Sequence, residues 1–244
     1  MRFLDLTLPT PAENLALDEA LLDEAEAAGR PTETLRIWEP PVPMVVVGRS
    51  SKIAAEVHLD ACRRRGIPIL RRTSGGAAVV TGPGCLMYAL ILSYQKRPAL
   101  RAVDAAHQFV LSTIARALGA SVPGVARRGI SDLASAPGGL KFSGNSMRLK
   151  HDHLLYHGTL LYDFPLEVIE ECLAMPPREP DYRDGRPHRS FVANLPLAPA
   201  AIREALIAAW DAQEPYSDWP RQRTIELAGE RYSRLAWNER RNEG

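Results

Sequence analysis

Arg71-Arg72-Thr73-Ser74-Gly75-Gly76-Ala77-Ala78-Val79 reads as a strand that runs two arginines into a tight turn of small residues. Glycines let backbone N–H groups come close to an anion, and arginine adds charge-assisted bonds to phosphate or carboxylate oxygens. An ordinary β-turn with surface arginines carries the same residue types, and no Walker-type lysine follows. The turn therefore takes its meaning from what surrounds it. Residues 67–72 form the strand that feeds it, and residues 86–94 form a strongly apolar strand beyond it.

Working outward, residues 2–8 alternate as a short strand stopped by Pro9 and Pro11. Residues 14–28 have helical periodicity, with Leu15, Leu17, Leu21 and Leu22 inward and Asp18, Glu19, Asp23, Glu24 and Glu26 toward water. Strands are predicted at 35–38 and 44–48 around a Pro-rich turn, and a basic helix at 58–65 ends on Gly66. A helix at 103–118 is closed by Gly119, and strands at 140–149 and 153–162 are joined by the hairpin Lys150-His151-Asp152. Helices follow at 165–174, 198–212 and 224–233. Between the first two lies an aperiodic, Pro- and Arg-rich loop over 175–189, long enough to expect a function for it. The order predicts an α+β fold, a mixed, largely antiparallel sheet flanked by helices, in one domain over 1–244.

Composition narrows the function classes. The 244 residues are 45% hydrophobic and 24% charged, with 30 basic against 29 acidic side chains and a net charge of +1. That balance gives no electrostatic reason to expect nucleic acid or a membrane surface as partner. The longest apolar run, residues 85–92, is too short to cross a bilayer, and the N-terminus has no signal-peptide pattern. Three widely spaced cysteines, Cys62, Cys85 and Cys172, suit a reducing, cytoplasmic setting and lack metal-ligand spacing.

Two further stretches carry chemistry. Lys141-Phe142-Ser143-Gly144-Asn145-Ser146 sets an ammonium beside a small polar turn, where it either meets an anion or faces solvent. Tyr156-His157-Gly158-Thr159-Leu160-Leu161 offers an imidazole next to a glycine that permits close backbone approach. His151, His153 and His157 raise zinc as an alternative, but no carboxylate or cysteine nearby in sequence completes a ligand set.

Together with Asn14-Leu15-Ala16-Leu17-Asp18-Glu19, Val47-Gly48-Arg49-Ser50 and Ser131-Asp132-Leu133, these stretches stand in the order found in the lipoate–protein ligase family. The chain resembles that family from about Phe3 to Trp237-Asn238. The resemblance implies a biotin/lipoate protein ligase-like catalytic domain, distantly like class II aminoacyl-tRNA synthetases. It implies activation of lipoate or octanoate by ATP and Mg2+ to an acyl-adenylate, then transfer to a lysine of a lipoyl carrier domain or a glycine cleavage H-like protein. On the same footing Arg72, Gly75, Gly76 and Ala77 would line the acyl and adenylate site. Lys141 would meet the acyl carboxylate and the phosphate, and Asp132 would lie near the nucleotide. Ser74, Val79, Ser143, Gly144, His157, Gly158 and Thr159 are further binding candidates, with no metal ligands assigned.

The chain departs from the family pattern at Ala77, where a third glycine is usual, over Thr81-Gly82-Pro83-Gly84-Cys85, and at Ser131. It also stops where larger ligases continue into an accessory domain, so a separately encoded accessory domain is expected, or else an enzyme that only transfers. A cysteine-dependent octanoyl- or lipoyltransferase is the alternative, with Cys85 its nearest thiol and Leu154 where one octanoyltransferase branch has its cysteine. A non-catalytic binder would not need Arg72, Asp132 and Lys141 together. An acyl slot is expected around Val79, Val80, Leu86 and Leu92.

Overall fold

The computed structural model describes residues 1–136 and 138–240. Its strands in chain order are β1 (Arg2–Asp5), β2 (Thr34–Trp38), β3 (Met44–Val47), β4 (Ile69–Arg71), β5 (Val79–Thr81), β6 (Cys85–Ser93), β7 (Ala126–Arg128), β8 (Asp132–Ser135), β9 (Leu140–Leu149), β10 (His153–Leu161) and β11 (Glu214–Pro215). The helices are α1 (Pro11–Ala27), α2 (Ile53–Glu56), α3 (Leu59–Arg65), α4 (Val103–Gly119), α5 (Glu167–Cys172), α6 (His188–Phe191), α7 (Pro199–Ala209), α8 (Arg221–Leu227) and α9 (Leu235–Asn238). Eight strands form one sheet in the order β11-β1-β2-β6-β10-β9-β8-β7, and β4-β3-β5 form a second, smaller one. β1 runs parallel to β2 and β11, and the rest of the large sheet is antiparallel. The expected mixed, largely antiparallel α+β architecture is what the chain adopts.

Burial explains why β6 and β10 are the clearest strands in the sequence. Every residue of both is buried, because helices cover the sheet on either face. On one face Leu86, Leu90, Tyr156 and Leu160 pack against Val110, Leu111 and Ile114 of α4 and Ile202 and Leu206 of α7. On the other, Ala89, Ile91 and Leu155 meet Leu17, Leu21 and Leu22 of α1. The small sheet packs separately with Cys62, Phe164, Ile169, Cys172 and Tyr232. None of the helices among the described residues is long and apolar enough to cross a membrane.

Several sequence expectations change here. Helix α1 starts at Pro11, because Thr10 and Glu13 form a reciprocal capping box and proline suits the first helical position. Asp18 and Glu19 do not face water. They are buried, Asp18 neutralised by Arg36 and Glu19 by Arg231. Gly119 lies within α4, and Ala120 is its C-cap. The expected helix at 224–233 is α8 continuing into a π-helical turn, Ala228–Tyr232. The expected acyl slot does not form as one surface, since Val79 and Val80 belong to the small-sheet core whereas Leu86 and Leu92 pack on the α4 side.

Candidate functional site

The loop from β4 to β5 is built from behind. Arg71 is fully buried, and its guanidinium donates to the carbonyls of Gly48 (2.7 Å), Ser51 (2.9 Å), Asn238 (3.1 Å) and Arg240 (2.8 Å). It ties the loop to the C-terminal segment. Arg72 folds back over its own loop, donating to Ser74 Oγ (3.1 Å) and to the carbonyls of Val46 (3.0 Å), Gly75 (2.5 Å) and Ala77 (2.9 Å). Burial lowers its pKa to about 10, Glu56 opposing and Arg71 adding to the shift, so it remains a cation at neutral pH. The donors expected to grip phosphate are therefore largely occupied in shaping the turn.

That shape leaves backbone donors open. Gly76 adopts φ +86°, which glycine tolerates without strain, and its carbonyl presses on Gly48 so closely that a Cβ there would overlap it. Glu56 takes up the N–H of Ala78 (2.6 Å). Gly75, Gly76 and Ala77 are exposed, and among the described residues nothing accepts from their N–H groups. Such a run of free N–H groups is an anion cradle. Ala77 has no positive φ, so the departure from a third glycine brings no strain.

Beneath the loop lies one face of β9 and β10, where Ser146 stands opposite His157. Ser146 Oγ donates to the Gly75 carbonyl (2.9 Å), and Ser74 Oγ lies 2.6 Å from His157 Nε2. The other ring nitrogen of His157 faces Asp18 Oδ2 at 3.6 Å, and Asp18 Oδ1 accepts from Arg36 at 2.6 Å. Arg36 also donates to Asn14 and to the Leu6 carbonyl, so α1, β2 and the loop are joined through buried charge.

Lys141 reaches back over Gly144 on this same face, since a Cβ on Gly144 would meet Lys141 Nζ at 3.2 Å. Its ammonium pairs with Asp132 Oδ1 at 2.8 Å, and Tyr182 donates to Asp132 Oδ2 at 2.8 Å. Burial first, and then the carboxylate beside it, push the Tyr182 phenol upward, so it holds its proton as donor. Thr159 joins the group through the N–H of Gly144 (3.2 Å).

The structure thus brings together Arg72, Ser74, Gly75, Gly76, Ala77, Lys141, Gly144, His157, Thr159 and, through Lys141, Asp132. It separates three others. Ser143 bonds Asn145, whose amide in turn meets Tyr88, on the α4 side of the sheet. Gly158 backs onto that cluster, where any side chain would overlap Asn145. Val79 packs with the small sheet. The three histidines weighed as a zinc alternative, His151, His153 and His157, do not meet. His151 is exposed at the hairpin turn with Asp152, His153 is buried near Glu26, and His157 faces Asp18. Among the described residues, metal-capable side chains do gather as Glu26, His151 and Asp152, but Glu26 already accepts the N–H groups of residues 151–153.

Asp18, Ser146 and Tyr182 complete the site without having been singled out as site residues. For Asp18 a signal existed, because Asn14 and Asp18 are one helical turn apart and Arg36 is a charge inside an otherwise apolar strand. For Tyr182 there was none, since its contact with Asp132 spans a loop without periodicity.

Residues 10–207 match the family model of the lipoyl protein ligase A/B catalytic domain. A protein of Aeropyrum pernix, provisionally named lipoate-protein ligase A, is 33% identical over 159 residues, covering 65% of this chain and 56% of that one. The chain therefore spans little more than half the length of that relative. The octanoyltransferase LipM of Geobacillus kaustophilus is 29% identical over 277 residues, covering 98% of each chain. In fold, a chain from the archaeal lipoylation system of Thermoplasma acidophilum, a bi-partite lipoate protein ligase with its E2 lipoyl domain, superposes with a TM-score of 0.82. It has 21% identity and covers 100% of this chain and 97% of its own.

Proposed function

The chain belongs to the lipoyl protein ligase A/B catalytic-domain family, and from that premise we propose that it is an ATP-dependent lipoate–protein ligase. In this reading it converts lipoate or octanoate, with ATP and Mg2+, to the acyl-adenylate. It then passes the acyl group to a lysine of a lipoyl carrier domain or a glycine cleavage H-like protein.

One observation carries the choice of ligase over transferase, and it is the state of the thiols. A transferase that carries the acyl group as a thioester needs an accessible thiolate. Cys85 is fully buried, and burial pushes its thiol up to about 12. It pairs with Leu161, four residues along β10 from His157. Cys62 on α3 is pushed up to about 12 and Cys172 on α5 is raised as well, both mainly by burial. Leu154 packs inside the α4-side core. An adenylate needs no enzyme nucleophile, only charge stabilisation and positioning. The open N–H groups of Gly75–Ala77 and the ammonium of Lys141 fit a phosphate and an acyl carbonyl.

The near full-length similarity to an octanoyltransferase favours the second reading, cysteine-dependent octanoyl or lipoyl transfer without ATP. Lipoate-dependent exchange of pyrophosphate into ATP separates the two. Robust exchange is expected. No exchange, together with octanoyl transfer that is lost in Cys85→Ser, would sink the ligase reading.

A further inference from the structure

We propose that Asp18, His157 and Ser74 form a proton relay that deprotonates the carrier's lysine as it attacks the acyl group. The inference rests on the carrier lysine being the acceptor, which both functional readings share. An alkylammonium has a pKa near about 10.4, so at neutral pH the attacking amine must shed protons on its way to an amide. The groups gathered at the site are mostly unsuited to accept one. Lys141 and Arg72 are cations, and both oxygens of Asp132 are taken by Lys141 and Tyr182. The imidazole of His157 is the remaining base.

Its geometry is that of a relay. Ser74 Oγ sits 2.6 Å from His157 Nε2, and Asp18 Oδ2 lies 3.6 Å from Nδ1. With the proton on Nδ1, Nε2 is free to accept from the hydroxyl, and Arg72 Nε–H donates to the same Oγ at 3.1 Å, orienting its remaining lone pair. The charged groups facing the imidazole from the packed elements are Asp18 on α1, Arg36 behind it on β2, and Arg72 in the loop. Glu19, the next residue on α1, is already held by Arg231 and Tyr232. Ser74 itself is buried, 1% exposed, beneath Gly75, which is exposed and where a Cβ would meet nothing within 4 Å, so the amine reaches Ser74 as the loop yields at Gly75.

The step balances. One proton of the lysine ammonium passes to Ser74 Oγ as the Ser74 proton passes to His157 Nε2, which frees the nitrogen lone pair. The nitrogen then bonds the acyl carbon, the bond from the acyl carbon to its leaving group breaks, and the second proton leaves with that group or to solvent. The imidazolium is stabilised by Asp18 until it returns its proton to solvent or to the leaving group. Ser74 touches the substrate amine, whereas His157 and Asp18 act through it as positioning residues.

The test is single-turnover transfer from chemically made acyl-adenylate to an isolated lipoyl domain, followed between pH 5.5 and 9.5. Supplying the adenylate makes the outcome independent of ATP activation. Wild-type transfer should level off well below the pH at which a free lysine ionises. His157→Gln and Ser74→Ala should be slower at pH 7 by about 10²-fold, and Asp18→Asn by about tenfold. In the first two the rate should keep climbing about tenfold per pH unit, tracking the lysine's own ionisation. A merely structural role would lower the rate without changing that profile. Variant profiles parallel to wild type, or transfer within threefold of it at pH 7, would overturn the relay. If wild type uses only an octanoyl-carrier donor, the ligase reading fails, and the same proteins and pH series with that donor decide the relay.

Discussion

At the scale of residues, Lys141 is the side chain on which the proposed chemistry most depends. Its ammonium is already placed over the bare backbone of Gly144, and Asp132 holds it at 2.8 Å until an anion competes. Replacing it should remove most of the charge stabilisation offered to a phosphate or developing oxyanion. Lys141→Ala is expected to slow acylation by about 10²–10³-fold. Because the side chain is part-exposed and its pair spans only the edge of the site, the melting temperature should stay within a few degrees of wild type. Acylation assayed with a lipoyl domain, alongside thermal melting, checks both halves, and unchanged turnover would remove Lys141 from the site. The same residues show what sequence can disclose. Lys141 and the Gly75–Gly76 turn were legible because their types are chemically suggestive wherever they occur. Asp18 was legible only in part: the lone charge of Arg36 in an apolar strand hinted at a buried acid, but an acid on a leucine-rich helix reads as solvated surface until Arg36, eighteen positions later, is known to lie against it.

At the scale of elements, the loop expected at 175–189 turns out to be a packed strap. Tyr182 and Phe191 meet at a tilt with ring centroids 5.1 Å apart, and Arg183 and Arg186 lie over Phe191 at 4.7 and 5.2 Å. Arg186 also donates to the carbonyls of Gly138 and Tyr182. Among the described residues, the strap's polar tie to the site is the hydroxyl of Tyr182 on Asp132. Tyr182→Phe keeps the ring contact and deletes that hydrogen bond, worth about 1 kcal/mol, so cleavage within 175–189 by a limiting protease should become roughly fivefold faster. Equal cleavage of the two proteins would mean that the tie does not hold the strap. Acyl-adenylate should slow cleavage further in wild type if the strap closes on the nucleotide. Element legibility follows burial in the same way. β6 and β10, covered on both faces, announce themselves as apolar runs, whereas β5, β7 and β8 have three or four residues each and too little pattern to read.

At the scale of the whole molecule, stability depends on buried polar pairs that join distant parts of the chain. Asn238 and Trp237 bond the backbone of Arg71 across more than 160 residues, and Tyr232 with Arg231 closes on Glu19 across more than 210. No local pattern could reveal such pairs. One of the buried groups makes a prediction about acid. His107 on α4 lies against Tyr156 on β10, Nδ1 to hydroxyl at 2.9 Å, with the rings edge to face. Burial pushes the phenol upward, so Tyr156 keeps its proton and can donate it to a neutral imidazole, a bond that a charged imidazole could not accept. Burial accordingly lowers the pKa of His107 from 6.5, with Arg127 acting in the same direction, and it lowers that of His188 as well. Below about pH 6.5 the unfolded chain then binds protons that the folded one refuses, so folding stability must fall as pH falls through that range. The loss is at most about 1.4 kcal/mol per pH unit for each histidine. Glutamine at position 107 can still accept from the tyrosine but does not titrate. The drop in melting temperature between pH 7 and pH 5 should therefore be smaller in His107→Gln than in wild type, with His188 sustaining part of what remains. Equal drops in the two proteins would show that His107 is protonated as readily in the folded state as in the unfolded, and that the core between α4 and the sheet admits the charge.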